Sequence, residues 1–191
     1  TAENWGSHTP DSTFNIAFTY PGLRKIGVDE STLASFSEAF RMGMAERSGI
    51  LGDTGDNASS QWENQLGTPD AIASTHAMIS IYGRSETDIN ARFSTVLPNG
   101  FSGISIINQQ KGKLLPLNRE HFGFRDGISQ PPIEGTNLPR ISGGGSSTQN
   151  GNSLPLAMGE FVLGYPGQGG IQHSSPAAPF DKNCTYMVYR K

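Results

Sequence analysis

Two patterns of apolar and polar positions recur along the first half of the chain, and each predicts a type of element. In residues 14–20 large apolar side chains alternate with smaller or polar ones, which is typical of a half-buried strand. From 29 to 47 the apolar residues recur three or four positions apart, which predicts a helix with one apolar face. Asp29 or Ser31 stands where the N-cap of that helix is expected.

The same two patterns continue beyond this helix. An apolar segment over 71–83 predicts a second strand, and residues 85–88 resemble a capping box that opens a second helix. A third strand is predicted near 101–108. Strands and helices therefore follow one another in the order β, α, β, α, β, in short elements that predict a compact α+β sandwich.

Loop-forming residues dominate elsewhere. The segments 52–70 and 111–158 show little periodicity, and 142–153 consists only of Gly, Ser, Thr, Asn and Gln. Loops this long in a compact domain are usually functional or disordered. Two further strands are predicted at 160–165 and 185–190. The second of these reaches the end of the sequence with no turn signal, so we expect a truncated chain.

Composition narrows the class of protein. With 191 residues, 24 of them Gly and 12 Pro, the chain suits one ordinary domain or two small ones with long loops. A net charge of -3 with scattered basic residues argues against nucleic-acid binding, and no apolar run reaches the ~18 residues that span a membrane. We therefore expect a small molecule or another protein as partner. No signal peptide is recognisable, which leaves secreted and cytoplasmic locations open.

Side chains that bind metals or act as nucleophiles are sparse. The single cysteine, Cys184, excludes an intrachain disulfide and is interpreted as an inert thiol. The histidines share no ligand spacing, so no metal site is predicted; they are His8, His76, His121 and His173. The glycine-rich residues 164–170 lack a following helix signal and make a poor dinucleotide loop. Two tripeptides match the N-glycosylation pattern, which also occurs often by chance: Asn57-Ala58-Ser59 and Asn183-Cys184-Thr185.

One carboxylate stands out by its neighbours. Asp126 lies between Gly123 and Gly127, which allow a close backbone approach, and beside the large apolar residues Phe124 and Ile128. A poorly solvated carboxylate has a shifted pKa and can act as a proton shuttle. The alternative is an aspartate that hydrogen-bonds to its own turn, as in many Asp-Gly pairs. The residues alone leave both interpretations open.

These residues also carry a resemblance to a known family. Residues 123–127 match the GxxDG motif of the dye-decolorizing (DyP-type) haem peroxidases, and 128–131 continue the likeness. Three other blocks resemble the same family in the same order: 14–20, 47–53 and 159–167. Because GxxDG is a short pattern, the specificity comes from the several blocks together.

The resemblance implies a fold and a domain order. Members of the family have two ferredoxin-like α+β halves, each with an antiparallel sheet and helices, and haem b binds in the second half. The chain resembles the first half of this dimeric α+β barrel. We expect an arm over 1–13, the first ferredoxin-like domain over 14–180 with a long loop region at 111–158, and the first strand of a second domain at 181–191.

The resemblance also implies an activity. Asp126 would take a proton from hydrogen peroxide on the distal side of haem and return it to the departing oxygen, which is general acid–base catalysis. Dyes and small aromatic reductants would then be oxidised. The residues expected to line the haem are Gly127, Ile128, Ser129 and Gln130, with Glu160 and Phe161 near its edge.

Two residues that the family needs have no matching position here. The proximal histidine and the distal arginine both belong to the second half, so we predict that this chain alone is not a competent peroxidase. Its partner would be the missing C-terminal half, as a second chain, or another copy of itself. The alternative is a non-catalytic ferredoxin-like module that dimerises or binds porphyrin weakly.

Overall fold

The chain folds into two units. The computed structural model describes residues 8–97, 103–125, 131–136, 146–147 and 153–189. The first unit, which we call the helical unit, comprises residues 9–108, 175–181 and 186–191. The second, which we call the turn unit, comprises residues 1–8, 109–174 and 182–185.

The helical unit contains both of the first two predicted strands as an antiparallel pair, but the second strand is shorter than the predicted 71–83, because residues 69–74 form a helix that Thr68 caps. Strand β1 is Ser12–Phe18 and strand β2 is Ala77–Gly83. Their register places Ile16 opposite Ile79, so apolar residues of both strands share one face.

Short helices connect and follow the two strands. The α-helices before β2 are α1 (Tyr20–Lys25), α2 (Glu30–Ala34), α3 (Glu38–Glu46), α4 (Ser48–Leu51) and α5 (Pro69–Ser74). The predicted loop over 52–70 contains three 3-10 helices, which are Gly55–Asn57, Ser59–Gln61 and Glu63–Gln65. Within the described ranges, no helix combines the length and the apolar character needed to cross a bilayer.

The prediction of one continuous helix over 29–47 is wrong. Ser37 adopts a non-helical conformation and its hydroxyl accepts a hydrogen bond from the Phe40 N–H, so a new helix begins there. Gly43 has a φ of 74° inside α3, which breaks the helical geometry again. Polar side chains that compete for backbone hydrogen bonds, together with glycine, override the apolar spacing here.

The predicted N-cap at Asp29 is confirmed. Its carboxylate accepts hydrogen bonds from the Thr32 N–H at 2.9 Å and the Thr32 hydroxyl at 2.8 Å, and from the Ser31 hydroxyl. The bond from Ser31, followed by those from Thr32, stabilises the charged form and holds the pKa of Asp29 well below its usual range. The carboxylate therefore fixes the first turn of α2.

The second predicted helix is present as α6 (Glu86–Val96). Ser85 is its N-cap and accepts a hydrogen bond from the Asp88 N–H at 3.2 Å, as the capping pattern predicts. The Arg92 guanidinium donates to the hydroxyl of Ser12 at 3.1 Å and to its carbonyl at 3.2 Å. These bonds tie α6 to the beginning of β1.

The core of the helical unit forms where α1, α2 and the residues between α2 and α3 meet. Leu23, Leu33 and Phe36 are buried, and Leu33 is 0% exposed. The residues packed around them are Phe18, Tyr20, Val28, Phe40 and Phe180. The Phe36 ring centroid lies 5.0 Å from that of Phe40. Full burial of such a side chain contributes about 1.5–3 kcal/mol.

The turn unit is held by backbone hydrogen bonds between loops. Its regular elements are β3 (Ser146–Ser147), β4 (Ser153–Leu154) and the 3-10 helices Pro116–Asn118 and Met158–Glu160. The Leu156 N–H donates to the Pro132 carbonyl at 2.8 Å, and the Leu156 carbonyl accepts from the Glu134 N–H at 2.9 Å. Isolated bridges of this kind replace the long ladders of a sheet.

The predicted strand over 160–165 is wrong. The N–H groups of Phe161 and Val162 both donate to the Met158 carbonyl at 3.0 Å, which closes a helical turn. Gly164, with a φ of 88°, then redirects the chain. The helical turn and the glycine together override the strand-like composition of this segment.

The strands predicted near 101–108 and 185–190 are also absent from the described part of each segment. Residues 103–108 and 185–189 are assigned to no strand. Ile104 and Ile106, which carried the apolar pattern, are exposed. A segment is assigned as a strand where its backbone forms a hydrogen-bonded ladder with a neighbouring strand. Among the described residues, no strand pairs with 103–108 or 185–189.

Candidate functional site

A tight hairpin leads the chain to the predicted catalytic aspartate. Arg119 and Arg125 form an antiparallel bridge across it. The Glu120 N–H donates to the Phe124 carbonyl at 2.7 Å, and the Gly123 N–H donates to the Glu120 carbonyl at 2.8 Å. Gly123 has a φ of 90°, so this three-residue loop ends in a residue with positive φ, where glycine is favoured.

A side chain reinforces this hairpin. The Arg119 guanidinium donates from Nη1 to the Gly123 carbonyl at 2.8 Å. Arg119 thus stabilises the hairpin in two ways. Its backbone forms the bridge to Arg125, and its side chain binds the Gly123 carbonyl in the loop. The hairpin ends at Arg125, which immediately precedes Asp126 in the sequence.

The residues with the strongest sequence signal are not among those that the structure describes. Asp126 and the predicted haem-lining residues Gly127, Ile128, Ser129 and Gln130 lie outside the described ranges. Their roles stay predictions. What the structure adds is the hairpin before them and Pro132, which is fully buried shortly after them.

Large apolar side chains are exposed on the hairpin. Phe122 is 90% exposed and Phe124 is 76% exposed, and Leu117 on the preceding 3-10 helix is exposed as well. Soluble proteins seldom leave neighbouring large apolar groups open to water unless the surface meets another molecule. This apolar surface flanks Asp126 in the sequence.

Glu160, predicted near the haem edge, contacts a glycine-rich turn of the turn unit. Its Oε1 accepts a hydrogen bond from the Gln168 N–H at 2.6 Å. A Cβ on Gly167 would lie 2.8 Å from that oxygen and 3.1 Å from Nε2 of His173. A larger residue at this position would therefore have to displace the Glu160 carboxylate and shift the His173 ring. Phe161 follows Glu160 and is exposed, and a haem-edge position for both stays a prediction.

The turn that Glu160 holds has the same hydrogen-bond pattern as the hairpin before Asp126. The Gly167 N–H donates to the Ile171 carbonyl and the Gly170 N–H donates to the Gly167 carbonyl, both at 2.9 Å. Gly170 has a φ of 73° and takes the place of Gly123. The rejection of this segment as a dinucleotide loop agrees with the structure, in which residues 171–189 contain no helix.

Sequence reasoning missed an open cleft of about 410 Å³ beside this turn. The lining residues are Glu134, Gly135, Ala157, Met158, Tyr165, Pro166, Gly167, Gln168 and Gly170. The Gln168 side chain accepts a hydrogen bond from the Ala157 N–H at 3.0 Å, which holds one wall. The high glycine content of 164–170 was the available signal, because glycines permit the close backbone packing around the cleft.

The described residues fit one part of a haem site. Haem needs an axial ligand for its iron and an apolar surface for its ring. Phe122 and Phe124 offer such a surface. Within the described residues, no three His, Cys, Asp or Glu side chains gather into a group that could hold a metal ion. The described part thus offers an apolar surface of the kind that the haem ring needs.

The fold and the GxxDG motif at 123–127 indicate the class of protein, and comparison with known proteins identifies the family. The family model of the DyP dimeric alpha+beta barrel domain matches residues 1–116. The chain belongs to this family of dye-decolorizing peroxidases. The α+β fold class, with antiparallel strands and helices, is thereby confirmed.

Individual relatives agree with this assignment. A dye-decolorizing peroxidase of Mycena epipterygia is 27% identical over 191 residues, which covers 95% of this chain and 31% of that protein. A dye-decolorizing peroxidase in complex with 2,6-dimethoxyphenol has a TM-score of 0.64 and 24% identity, covering 88% of this chain and 35% of that one. Another, with an engineered haem pocket used for asymmetric sulfoxidation, has a TM-score of 0.51, 22% identity and coverage of 88% and 34%.

Length separates the chain from these relatives. It spans about a third of the length of the curated relatives that it matches. Solved structures below 25% identity bear on the fold alone. The activity of a whole dye-decolorizing peroxidase is therefore a proposal for this chain.

Proposed function

We propose that this chain supplies the distal side of a haem-dependent peroxidase that uses hydrogen peroxide to oxidise dyes and phenolic reductants. Family membership over residues 1–116 carries this proposal. The GxxDG motif at 123–127 supports it independently, because that motif lies beyond the matched range. Dyes and phenolic reductants are the substrates that the family resemblance implies.

Asp126 is the proposed acid–base residue. Its carboxylate takes a proton from one oxygen of hydrogen peroxide and returns it to the departing oxygen, so that water leaves. An aspartate has an ordinary pKa of about 3.9 and so remains ionised in mild acid, where a histidine base would be protonated. The Arg119-braced hairpin that ends at Arg125 would orient the backbone from which this carboxylate projects.

The remaining site residues would hold haem b. Gly127, Ile128, Ser129 and Gln130 would line it, with Glu160 and Phe161 near its edge, and the exposed Phe122 and Phe124 would cover its apolar surface. When bound, haem supplies the electrons that break the oxygen–oxygen bond. The side chains of this chain would exclude water and move the proton.

We further propose that this chain alone is not competent. The axial histidine and the distal arginine would come from a second domain, and we assign neither role to any of the four histidines present. The chain's coverage of about a third of its relatives supports this division. In this assignment 1–13 is an arm, 14–180 is the first ferredoxin-like domain, and 181–191 opens the second.

A haem titration tests the division of labour. The purified chain is mixed with haemin, and the Soret band and peroxide-dependent dye oxidation are recorded. We expect no histidine-ligated spectrum and no turnover above free haemin. Coexpression with a polypeptide covering the remaining two thirds of the Mycena epipterygia enzyme should restore both. Robust turnover by the chain alone would contradict the proposal.

The role of Asp126 is tested in that restored assembly. Asp126→Asn should slow the reaction with peroxide by at least about a hundredfold, the usual contribution of general acid–base catalysis, while the Soret band is retained. Asp56→Asn, a matched change in an exposed turn, should react as the parent does. Equal peroxide reactivity in Asp126→Asn and the parent would remove Asp126 from the mechanism.

A second candidate function is supported by the sheet. Phe14 and Ile16 on β1 are 46% and 51% exposed, so an apolar strand face remains partly open to water. A non-catalytic module would cover it by self-association. Sedimentation equilibrium of the chain without haem distinguishes the two. A dimer lost in Phe14→Ser favours the module, and a monomer that assembles only with the C-terminal polypeptide favours the enzyme.

A further inference from the structure

One of the two N-glycosylation patterns occupies a position suited to a glycan. Asn57 is the last residue of the 3-10 helix Gly55–Asn57 and is exposed. Ala58 is extended, with φ −57° and ψ 148°, and Ser59 begins the next 3-10 helix. The tripeptide therefore lies at a surface junction that belongs to no sheet ladder.

The Asn57 side chain is available at this junction. Its backbone carbonyl accepts a hydrogen bond from the Trp62 indole N–H at 3.3 Å, and its N–H donates to the Thr54 carbonyl at 3.1 Å. Among the described residues, its side-chain amide has no hydrogen-bond partner. The backbone is thus anchored while the amide faces solvent, so an attached sugar would displace no contact.

Asn183, in the second pattern, has a different environment. Its Oδ1 accepts a hydrogen bond from the Tyr165 hydroxyl at 2.7 Å, and its N–H donates to the Leu163 carbonyl at 3.2 Å. Its φ is 60°, and the carbonyl of the following Cys184 accepts from the Leu163 N–H at 2.8 Å. Asn183 is exposed like Asn57, but its side chain and backbone are engaged by hydrogen bonds within the turn unit.

We propose that Asn57 is an N-linked glycosylation site of this chain when the chain enters a eukaryotic secretory pathway. The co-substrate is a dolichyl-pyrophosphate oligosaccharide. Nδ2 of Asn57 forms a bond to C1 of the first sugar, the bond between C1 and the pyrophosphate oxygen breaks, and the amide gives up one proton. The hydroxyl of Ser59 completes the recognised tripeptide. This inference is independent of the peroxidase proposal.

The test uses the full chain behind a cleavable leader in a yeast secretory host. The parent is compared with N57Q, S59A, S59T and N183Q. Secreted and cell-retained material are both treated with endoglycosidase, because the glycan is transferred before folding is complete. In a parallel sample, peptide N-glycosidase hydrolyses the glycosylated amide in heavy-oxygen water, which converts the occupied asparagine to labelled aspartate for peptide mapping.

We expect endoglycosidase to lower the mass of the parent, S59T and N183Q, with the label at residue 57. N57Q and S59A should carry no glycan at that site. S59A matters because it keeps the asparagine and removes only the hydroxyl. A parent that is insensitive to endoglycosidase, or a glycan found only at Asn183, would overturn the proposal.

Discussion

The two units reach order by different means. The helical unit buries Leu23, Leu33 and Phe36 behind short helices, and apolar spacing in its sequence marks most of them. The turn unit relies on loops closed by backbone hydrogen bonds and on glycines such as Gly123 and Gly170 with positive φ. Its largest apolar side chains are exposed.

This difference teaches where a functional surface is placed. A packed core determines its own geometry, since each side chain is held by several neighbours. A loop unit holds its backbone and leaves side chains open to a ligand or a partner. The predicted catalytic segment belongs to the turn unit, where exposed aromatic residues flank it.

The largest expected effect comes from the core of the helical unit. Leu33→Ala should lower the free energy of unfolding by about 2–5 kcal/mol, because it leaves a cavity at a fully buried position. Leu114→Ala in the turn unit, where the side chain is 62% exposed, should change it by no more than about 0.5 kcal/mol. Urea unfolding followed by far-UV circular dichroism measures both. Equal losses would remove the contrast between the units.

A smaller effect is expected at a glycine of the turn unit. A Cβ at residue 159 would lie 2.2 Å from the Tyr165 carbonyl oxygen, so Gly159→Ala should cost about 1–3 kcal/mol. Gly169 has nothing within 4 Å of its added Cβ, so Gly169→Ala should be at least as stable as the parent. Chemical unfolding and limited proteolysis of 158–170 read this out. A Gly159→Ala variant as stable as the parent would contradict this prediction, because the backbone at Tyr165 would then have shifted to accommodate the added methyl group.

The smallest effect concerns the N-cap of α2 and depends on pH. The folded-state pKa of Asp29 is lowered, so its charge stabilises the fold above the unfolded value of about 3.9. This stabilisation is lost progressively as the pH falls below about 4 toward the lower folded-state pKa. Asp29→Asn keeps a cap without a charge and should flatten this dependence, as measured by thermal unfolding between pH 2 and 7.

Asp56→Asn serves as the control in this experiment. It makes the same chemical change in an exposed turn and should keep the acid dependence of the parent. If Asp29→Asn loses as much stability in acid as the parent does, the Asp29 carboxylate is not the source of that loss.

Sequence patterns predicted the elements that are determined by interactions between residues close together in the sequence. Strand β1, helix α6 and the caps Asp29 and Ser85 follow from alternation, spacing and short-range hydrogen bonds, whereas the pairing of β1 with β2 joins distant segments. The predictions failed where a distant partner or a competing turn decides. Residues 103–108 have strand-like composition without a strand beside them in the described part, and Ser37 and Gly43 divide one apolar stripe between two helical geometries.

The candidate site shows the same division. Sequence motifs indicate Asp126 and the family, because a carboxylate between two glycines is a local feature. The Arg119 brace, the bond from Gln168 to Glu160 and the cleft beside it were not predicted. Each of these features depends on a contact between residues four or more positions apart, and a specific turn of the backbone is needed to bring those residues together.

The sequence by itself determined the fold class, the family, the first strand and the aspartate proposed for proton transfer, since local patterns and short motifs indicate each of these. Tertiary structure alone decided that Glu160 holds the Gly167 turn, that Phe122 is exposed, and that the Asn57 amide faces solvent where Asn183 is engaged. The physical reason is that hydrogen bonding and burial depend on which distant backbone segments approach each other.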